Sequence, residues 1–159
     1  MQPRGLSMPL QNKPDEGLIY GPVTVNELFC GLSAAGRNTL ASFEERRSVA
    51  ANVTVFAAGD LPLFLYVHLS GSAVLIPASG PERVTYACPI GSNGIYGLVE
   101  ALSGNTFEST FKTITACEFC VIGKDRFLGF IRQRPATCFR LAEILSRSYR
   151  QALQTIRSQ

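Results

Sequence analysis

A Cys-x-x-Cys pair is the spacing in this chain that best suits metal or thiol chemistry. Cys117 and Cys120 are separated as zinc ligands and redox thiols often are. The run from Ala116 to Ile122 has the composition of a β-strand, however, and residues three apart on a strand point to opposite faces. We therefore expect the two thiols to be small packed side chains that do not converge on one ion.

The other candidate metal ligand is His68, the one histidine of the chain. It lies inside a strand-like run, which favours a packed or surface side chain over a metal or haem ligand. A metal-binding jelly roll of the cupin type needs several converging ligands, so one histidine is too few. An iron–sulfur sensor would need clustered N-terminal cysteines, and Cys30 is the only cysteine before residue 80. We predict no metal site.

Catalytic constellations are missing from the sequence as well. No Ser/Cys-His-acid set is available with His68 in a strand, and no P-loop, dinucleotide motif or paired carboxylates stand out. We predict that the chain is not an enzyme.

The composition is that of one soluble globular domain. The 159 residues are 46% hydrophobic and 17% charged. No apolar run approaches the roughly 20 residues of a membrane span, and prolines and acidic residues interrupt Met1 to Tyr20 where a signal peptide needs an apolar core. Five cysteines, an odd number without framework spacing, favour reduced thiols. We expect a cytoplasmic protein.

From Arg47 onward the hydrophobic period is two, which is typical of β-strands. Gly59-Asp60 and Ser70-Gly71 interrupt the pattern as turns, since glycine tolerates the positive φ of tight turns and an Asp side chain accepts hydrogen bonds from turn amides. One face of the run 63–69 takes Phe64, Tyr66 and His68, and the other takes Leu63, Leu65, Val67 and Leu69.

Short strands with glycine turns at roughly ten-residue spacing predict a sandwich or a jelly roll, and the whole region is typical of a small antiparallel β-roll. The fold class is therefore mainly β with flanking α: an antiparallel β-roll (double-stranded β-helix), N-terminal helices and a long C-terminal helix. Further strands are predicted over Ala73 to Pro77, Val84 to Cys88, Thr110 to Ile114 and Glu118 to Ile122.

Helices are predicted on both sides of the roll. Ser33 offers an N-cap for a helix that runs through Leu40 and Phe43 into the charged residues 44–47. Asp125 to Gln133 form a short helix with Phe127, Phe130 and Ile131 inward, and a second helix runs from about Ala136 to Arg157. The predicted organisation is an arm at 1–22, the roll with its short helices at 23–135 and the C-terminal helix at 136–159.

The order of these elements resembles the cyclic-nucleotide-binding domain of the catabolite-activator/Fnr (Crp/Fnr) regulator family. The resemblance covers about residues 28–155. It rests on Leu28-Phe29-x-x-Leu32, on Phe-Ala-Ala-Gly-Asp at 56–60, on Leu-Tyr-Val-His-Leu-Ser-Gly-Ser-Ala-Val-Leu at 65–75 and on Ile-Tyr-Gly-Leu-Val-Glu-Ala-Leu-Ser-Gly at 95–104.

The resemblance implies a phosphate-binding cassette in which a Gly-Glu pair and an Arg-Ser/Thr-Ala signature hold the cyclic phosphate and ribose. Leu98 stands where the family has the Glu, and Phe107 where it has the Arg; Glu100 comes two residues late, and Glu108 adds negative charge. Pro89 to Gly94 hold one or two extra residues. The ligand-binding positions carried over are Gly97, Leu98, Val99, Ala101, Leu102, Phe107, Glu108, Ser109 and Thr110.

The predicted C-terminal helix has an a/d stripe, with apolar residues spaced three, four, three and four apart. The resemblance implies that two copies pack along it as a homodimer, against the alternative that the stripe packs on the roll of a monomer. The stripe consists of Ala142, Leu145, Tyr149, Ala152 and Ile156.

The charge is concentrated at the C-terminal end. The net charge is +3, but residues from Lys124 to Gln159 carry eight basic and two acidic side chains, a local net of +6. Such a surface meets nucleic acid or acidic partners, but more often it is a solvated helix face. A DNA-binding regulator of the family needs a helix-turn-helix after the dimer helix. We therefore expect no DNA contact from this chain alone, unless a helix-turn-helix is missing from it, and no membrane contact.

Three functions remain open. The first is a sensor module whose diverged pocket takes an apolar or less anionic effector, or none, and shifts the arrangement of the dimer helices. The second is a cyclic AMP or cyclic GMP binder that uses backbone amides and an unrecognised cation. The third is a dimeric protein-interaction module without a ligand. We expect no resident cofactor in any of them.

Overall fold

The computed structural model describes residues 23–78, 85–88, 90, 91 and 93–157, with the backbone alone for 148, 149 and 151–157. The predicted arm at 1–22 and the start of the predicted strand at Val84 lie outside these residues. The strands are β1 (Val23–Thr24), β2 (Glu44–Val49), β3 (Thr54–Phe56), β4 (Phe64–Ser70), β5 (Ala73–Pro77), β6 (Tyr86–Ala87), β7 (Gly94–Tyr96), β8 (Ser109–Thr113) and β9 (Cys117–Gly123). The helices are α1 (Val25–Phe29), α2 (Ala34–Ala41), α3 (Leu98–Ser103), α4 (Lys124–Arg132) and α5 (Pro135–Arg157).

The strands form two sheets in which the described pairs are antiparallel. One sheet has five strands in the order β1-β7-β4-β9-β2, and the other has four in the order β3-β8-β5-β6. Short helices flank the sheets on the N-terminal side, and α4 and α5 follow them. The predicted β-roll with flanking helices is confirmed.

The alternation along β4 sorts side chains into two cores, because successive residues of a strand face opposite sides of the sheet. Leu65 and Val67 belong to a core between the five-stranded sheet and the helices, together with Phe127 and Phe130 of α4. We call this the helix-side core. Tyr66 belongs to a second core, the roll interior, together with Phe111 and Phe119. The predicted faces of this strand are confirmed.

The two cysteines of the Cys-x-x-Cys pair are divided in the same way. Cys117 lies in the roll interior, and Cys120 packs against the helix-side core. The prediction that they do not converge is confirmed. Among the described residues, no group of three or more His, Cys, Asp or Glu side chains is arranged to hold a metal ion.

The charged run 44–47 differs from the sequence prediction, which continued a helix into it. Ser33 does cap α2 by accepting a hydrogen bond from the amide of Gly36 at 3.1 Å, but the helix ends at Ala41. Glu44–Val49 forms β2, which pairs with β9 along its whole length. Because β2 is the edge of its sheet, its charged side chains extend into solvent, and pairing outweighs local helix propensity.

Helix α5 contacts the helix-side core through Leu141 and Ile144, which are buried. Of the predicted dimer stripe, Ala142 is exposed and Leu145 is half-buried against that core. The side chains of the other members, Tyr149, Ala152 and Ile156, lie outside the described residues. Within the part of the chain that the structure describes, no helix has both the length and the apolarity to span a bilayer.

Candidate functional site

The predicted cassette begins with a glycine that the backbone requires. Gly97 is the N-cap of α3 and has φ of 95°, and Gly104 ends the helix with φ of 82°. A Cβ at position 97 would lie 2.9 Å from the carbonyl oxygen of Phe64 on β4. The close approach and the left-handed backbone together demand glycine here.

Helix α3 presents its apolar residues to two environments. Leu98 and Ala101 are buried in the helix-side core, whereas Val99 and Leu102 are 55% and 38% exposed. Leu98, which the resemblance predicts to replace the family's Glu, therefore packs with the helices outside the roll interior. No sequence pattern could show the direction of the Leu98 side chain, because that direction depends on the turn at Gly97.

Phe107 takes the opposite direction and enters the roll interior. Its ring is buried and stacks on Phe56, with centroids 3.8 Å apart and planes 17° apart. Backbone hydrogen bonds fix the segment: the amide of Gly59 donates to the Phe107 carbonyl at 2.8 Å, and the amide of Phe107 donates to the Asp60 carbonyl at 3.0 Å. The position predicted to replace the family's arginine thus contributes an aromatic side chain to a core.

The residues after Phe107 lie at the edge of the roll. Glu108 is exposed, and Ser109 and Thr110 are half-buried. The hydroxyl of Thr110 accepts a hydrogen bond from the amide of Ala58 at 3.0 Å, so it is already engaged in holding the turn before β4.

The electrostatics of the cassette are anionic. Residues 97–111 contain Glu100 and Glu108 and no lysine or arginine. Burial raises the pKa of the half-buried Glu100, the hydrogen bond with its own backbone lowers it, and the charge of Glu108 raises it. A phosphate placed here would meet carboxylates without a cationic partner from the cassette.

Two cations near the cassette, Lys112 and Arg47, differ in how they lie relative to the roll. Lys112 lies next to Phe111 on β8, and since Phe111 faces the roll interior, Lys112 lies on the other face of its strand. The guanidinium carbon of Arg47 lies 4.8 Å from the centroid of the Phe64 ring, and its Nε lies 3.0 Å from Glu45. Arg47 therefore packs its guanidinium against an aromatic ring beside the roll.

Polar groups inside the roll form a feature that sequence reasoning missed. His68 is 2% exposed and stacks on Phe119, with centroids 5.4 Å apart. Neither ring nitrogen of His68 nor the hydroxyl of Tyr96 has a hydrogen-bond partner of good geometry among the described residues. Burial lowers the pKa of His68, partly offset by backbone groups of Gly71 and Ser70, so the ring is neutral. The predicted packed role of His68 fits this environment.

The thiol of Cys88 lies in the same interior. Burial raises its pKa to about 12, and it raises the pKa of Tyr96 far above the usual range. These groups stay protonated at neutral pH. The roll interior is thus aromatic and neutral, and any ligand that replaced part of its packing would meet rings and uncharged donors.

The family comparison agrees with the fold. A model of the family described as cyclic nucleotide-binding domain matches residues 46–134, more than half of the chain. No curated protein sequence matches the chain significantly.

Solved structures share the fold. The catabolite activator protein of Thermus thermophilus is 25% identical with a TM-score of 0.68, over 82% of this chain and 61% of that one. The sensor domain of the transcriptional regulator DNR from Pseudomonas aeruginosa is 15% identical with a TM-score of 0.66, over 80% of this chain and 86% of that one. The N-terminal domain of a transcriptional regulator from Streptomyces coelicolor A3(2) is 21% identical with a TM-score of 0.64, over 80% of this chain and 91% of that one.

Proposed function

The chain belongs to the cyclic nucleotide-binding domain family, and we propose that it is a sensor module of the Crp/Fnr effector-domain type whose roll has diverged from binding cyclic AMP. Domains of this family are regulatory and non-enzymatic. The proposal concerns what the roll accepts and what the C-terminal helix does.

One observation carries the proposal: Phe107 fills the roll interior, stacked on Phe56, at the position aligned with the family's phosphate-binding arginine. Leu98, aligned with the family's Glu, is buried among the helices. Each lost charge-assisted hydrogen bond removes about 1.5–3 kcal/mol. Two such losses weaken binding of a cyclic nucleotide by several orders of magnitude.

The effector class that suits this interior is apolar or weakly polar and carries no phosphate. The stacked rings offer π-faces, and the buried ring nitrogens of His68 and the hydroxyl of Tyr96 offer neutral hydrogen-bonding atoms. Such an effector would replace side-chain packing in the roll, press on α3 and α5 and favour one arrangement of the two long helices in a dimer.

Two other functions are retained as alternatives. A cyclic-nucleotide binder would use backbone amides and the guanidinium of Arg47, which packs on Phe64 beside the roll. A ligand-free dimeric interaction module would use exposed apolar side chains such as Val99 and Phe139, of which Phe139 is 68% exposed on α5.

Calorimetric titration with cyclic AMP and cyclic GMP separates these functions. We expect no binding heat up to about millimolar nucleotide. Linear AMP is the control, because heat that is equal for linear and cyclic nucleotides reports non-specific association. Micromolar binding that is specific for a cyclic nucleotide would refute the diverged pocket and support the second function.

The homodimer through the C-terminal helix is tested separately by size-exclusion chromatography with light scattering, which measures the molar mass of the protein in solution. We expect a dimer for the full chain and a shift towards monomer for Ala142→Glu, because Ala142 is exposed and belongs to the predicted seam. Arg147→Glu is the matched control, since position 147 lies about 140° around the helix from position 142. A monomeric wild-type chain, or equal effects of both variants, would refute this interface.

A further inference from the structure

A cleft outside the roll is formed by α1, α2 and the first residue of β2. Its volume is about 500 Å³, within the range of small-molecule sites. The residues that line it are Val25, Asn26, Phe29, Cys30, Arg37, Leu40 and Glu44. None of them belongs to the cassette.

The lining combines an apolar floor with charges of opposite sign. Leu40 is 2% exposed, and Phe29 and Val25 are half-buried, so these three side chains supply the floor. Arg37 and Glu44 are exposed. The cleft therefore offers an apolar surface beside a guanidinium and a carboxylate.

Both charges have capacity for a ligand. One nitrogen of Arg37, Nη2, donates to the carbonyl of Phe29 at 3.2 Å, which leaves its other N–H groups available. Glu44 accepts a weak hydrogen bond from the thiol of Cys120 at 3.8 Å, which leaves its remaining lone pairs available. Neither side chain forms an ion pair with another residue in the described ranges.

We propose that this cleft binds a free amino acid with an apolar side chain. The carboxylate of the ligand would meet Arg37, its ammonium would meet Glu44, and its side chain would lie on Leu40, Phe29 and Val25. A simple anion would be repelled by Glu44 and a simple cation by Arg37, so the pair of charges selects a zwitterion.

The cleft is connected to the long helix α5 by direct contacts. Cys30, which lines the cleft, accepts a hydrogen bond from Nη2 of Arg140 on α5 at 3.3 Å, and α1 packs against α5. A ligand that holds α1 in place would stabilise its contact with α5. This inference does not depend on whether the roll binds an effector.

Titration of the full chain with L-leucine, followed by amide NMR shifts, tests the proposal. We expect shifts around Asn26, Arg37 and Glu44 and a dissociation constant of about 0.1–1 mM. N-acetyl-leucine lacks the ammonium and leucinamide lacks the carboxylate, so each should bind the wild-type chain at least about tenfold more weakly.

Variants match each ligand charge to its residue. Glu44→Gln should bind leucine no better than N-acetyl-leucine, and Arg37→Gln should bind leucine no better than leucinamide. Arg132→Gln, at the end of α4, is the control with unchanged binding. The NMR spectrum of each variant shows directly whether it is folded. If Arg37→Gln unfolds, Arg37→Lys is used in its place, because it keeps the positive charge.

Three results would overturn the proposal: no shifts at about 10 mM leucine, which is well above the expected dissociation constant; equal binding of leucine and its two analogues; or shifts confined to the roll. The nucleotide titration is independent of this one, because it reports on the roll. Failure of either test leaves the other interpretable.

Discussion

Phe107 and Phe56 lie face to face, with ring centroids 3.8 Å apart, although 51 positions separate them in the sequence. Phe56 is the last residue of β3, and Phe107 comes shortly before β8, the strand that pairs with β3. Phe56 also contacts Tyr66 and Phe111, each with centroids 5.5 Å away. Phe107 thus joins a cluster of rings that connects the two sheets.

The first prediction concerns the energy of this stack. In a double-mutant cycle of Phe56→Leu and Phe107→Leu, we expect a coupling of about 0.5–1.5 kcal/mol in the free energy of unfolding, because aromatic pairs contribute that much beyond area burial. Urea unfolding measures it. The control cycle pairs Phe107→Leu with Phe127→Leu, since Phe127 lies in the helix-side core. A coupling as small as that of the control would show that the rings act independently.

The second prediction concerns pH and His68. Burial lowers its pKa in the folded state below the usual 6.5, whereas the unfolded chain keeps a value of about 6.5. As the pH falls through 6.5 the unfolded chain takes up the proton first. The contribution to stability is therefore full above about pH 6.5 and is lost as the pH falls from there towards the folded pKa.

The measurement is the urea midpoint between about pH 5 and pH 8. We expect the urea midpoint of the wild-type chain to decrease as the pH is lowered below 6.5. The urea midpoint of His68→Phe should decrease less over the same range, because the variant has no imidazole to protonate. Identical pH profiles for the two proteins would mean that His68 is not kept neutral by its surroundings.

Sequence patterns predicted the fold well where neighbouring residues decide it. The alternation of Leu65, Tyr66, Val67 and His68 sorted side chains correctly between two cores, because a strand between two packed faces imposes a period of two. The prediction was wrong at residues 44–47, where charged residues with helix propensity form the first part of an edge strand. Pairing with β9, about 70 residues away, decides that element.

The candidate sites depended on contacts that no local pattern contains. The sequence resemblance predicted that Phe107 replaces a ligand residue, but it could not predict that the ring would stack on Phe56. Likewise, the direction of Leu98 follows from the left-handed backbone at Gly97. The cleft between Arg37 and Glu44 requires the turn between α2 and β2, which the sequence prediction had as continuous helix.

The third prediction concerns thiol reactivity. Cys30 and Cys138 are exposed, whereas Cys88 and Cys117 are buried. With a pKa of about 12 in place of 9.0, Cys88 has a thiolate fraction about 1000-fold smaller than an ordinary thiol, and burial blocks access as well. We expect Ellman's reagent to modify Cys30 and Cys138 quickly in the folded protein, and Cys88 only after denaturation.

Serine variants identify the reacting thiols. Cys30→Ser and Cys138→Ser should each remove one equivalent from the fast phase, and Cys88→Ser should leave the fast phase unchanged. Loss of a fast equivalent in Cys88→Ser would mean that the roll interior opens to the reagent on the timescale of the reaction.

The fourth prediction compares two turn glycines that share a backbone conformation but differ in surroundings. Gly59 and Gly71 have φ of 94° and 91°. A Cβ at Gly59 meets nothing within 4 Å, whereas a Cβ at Gly71 would lie 2.2 Å from the carbonyl oxygen of Ala116. Alanine at either position bears the cost of the left-handed backbone, about 1–2 kcal/mol, and only Gly71→Ala adds a clash with backbone.

Urea unfolding of Gly59→Ala and Gly71→Ala separates the two costs. We expect Gly59→Ala to lose about 1 kcal/mol and Gly71→Ala to lose at least about 3 kcal/mol, because the turn between β4 and β5 must move away from the residues that precede β9. The new Cβ would also lie 2.6 Å from the thiol sulfur of Cys117, so this side chain must move as well. Equal losses would mean that this turn relaxes freely, and that the close approach at Gly71 does not fix the register between β4 and β9.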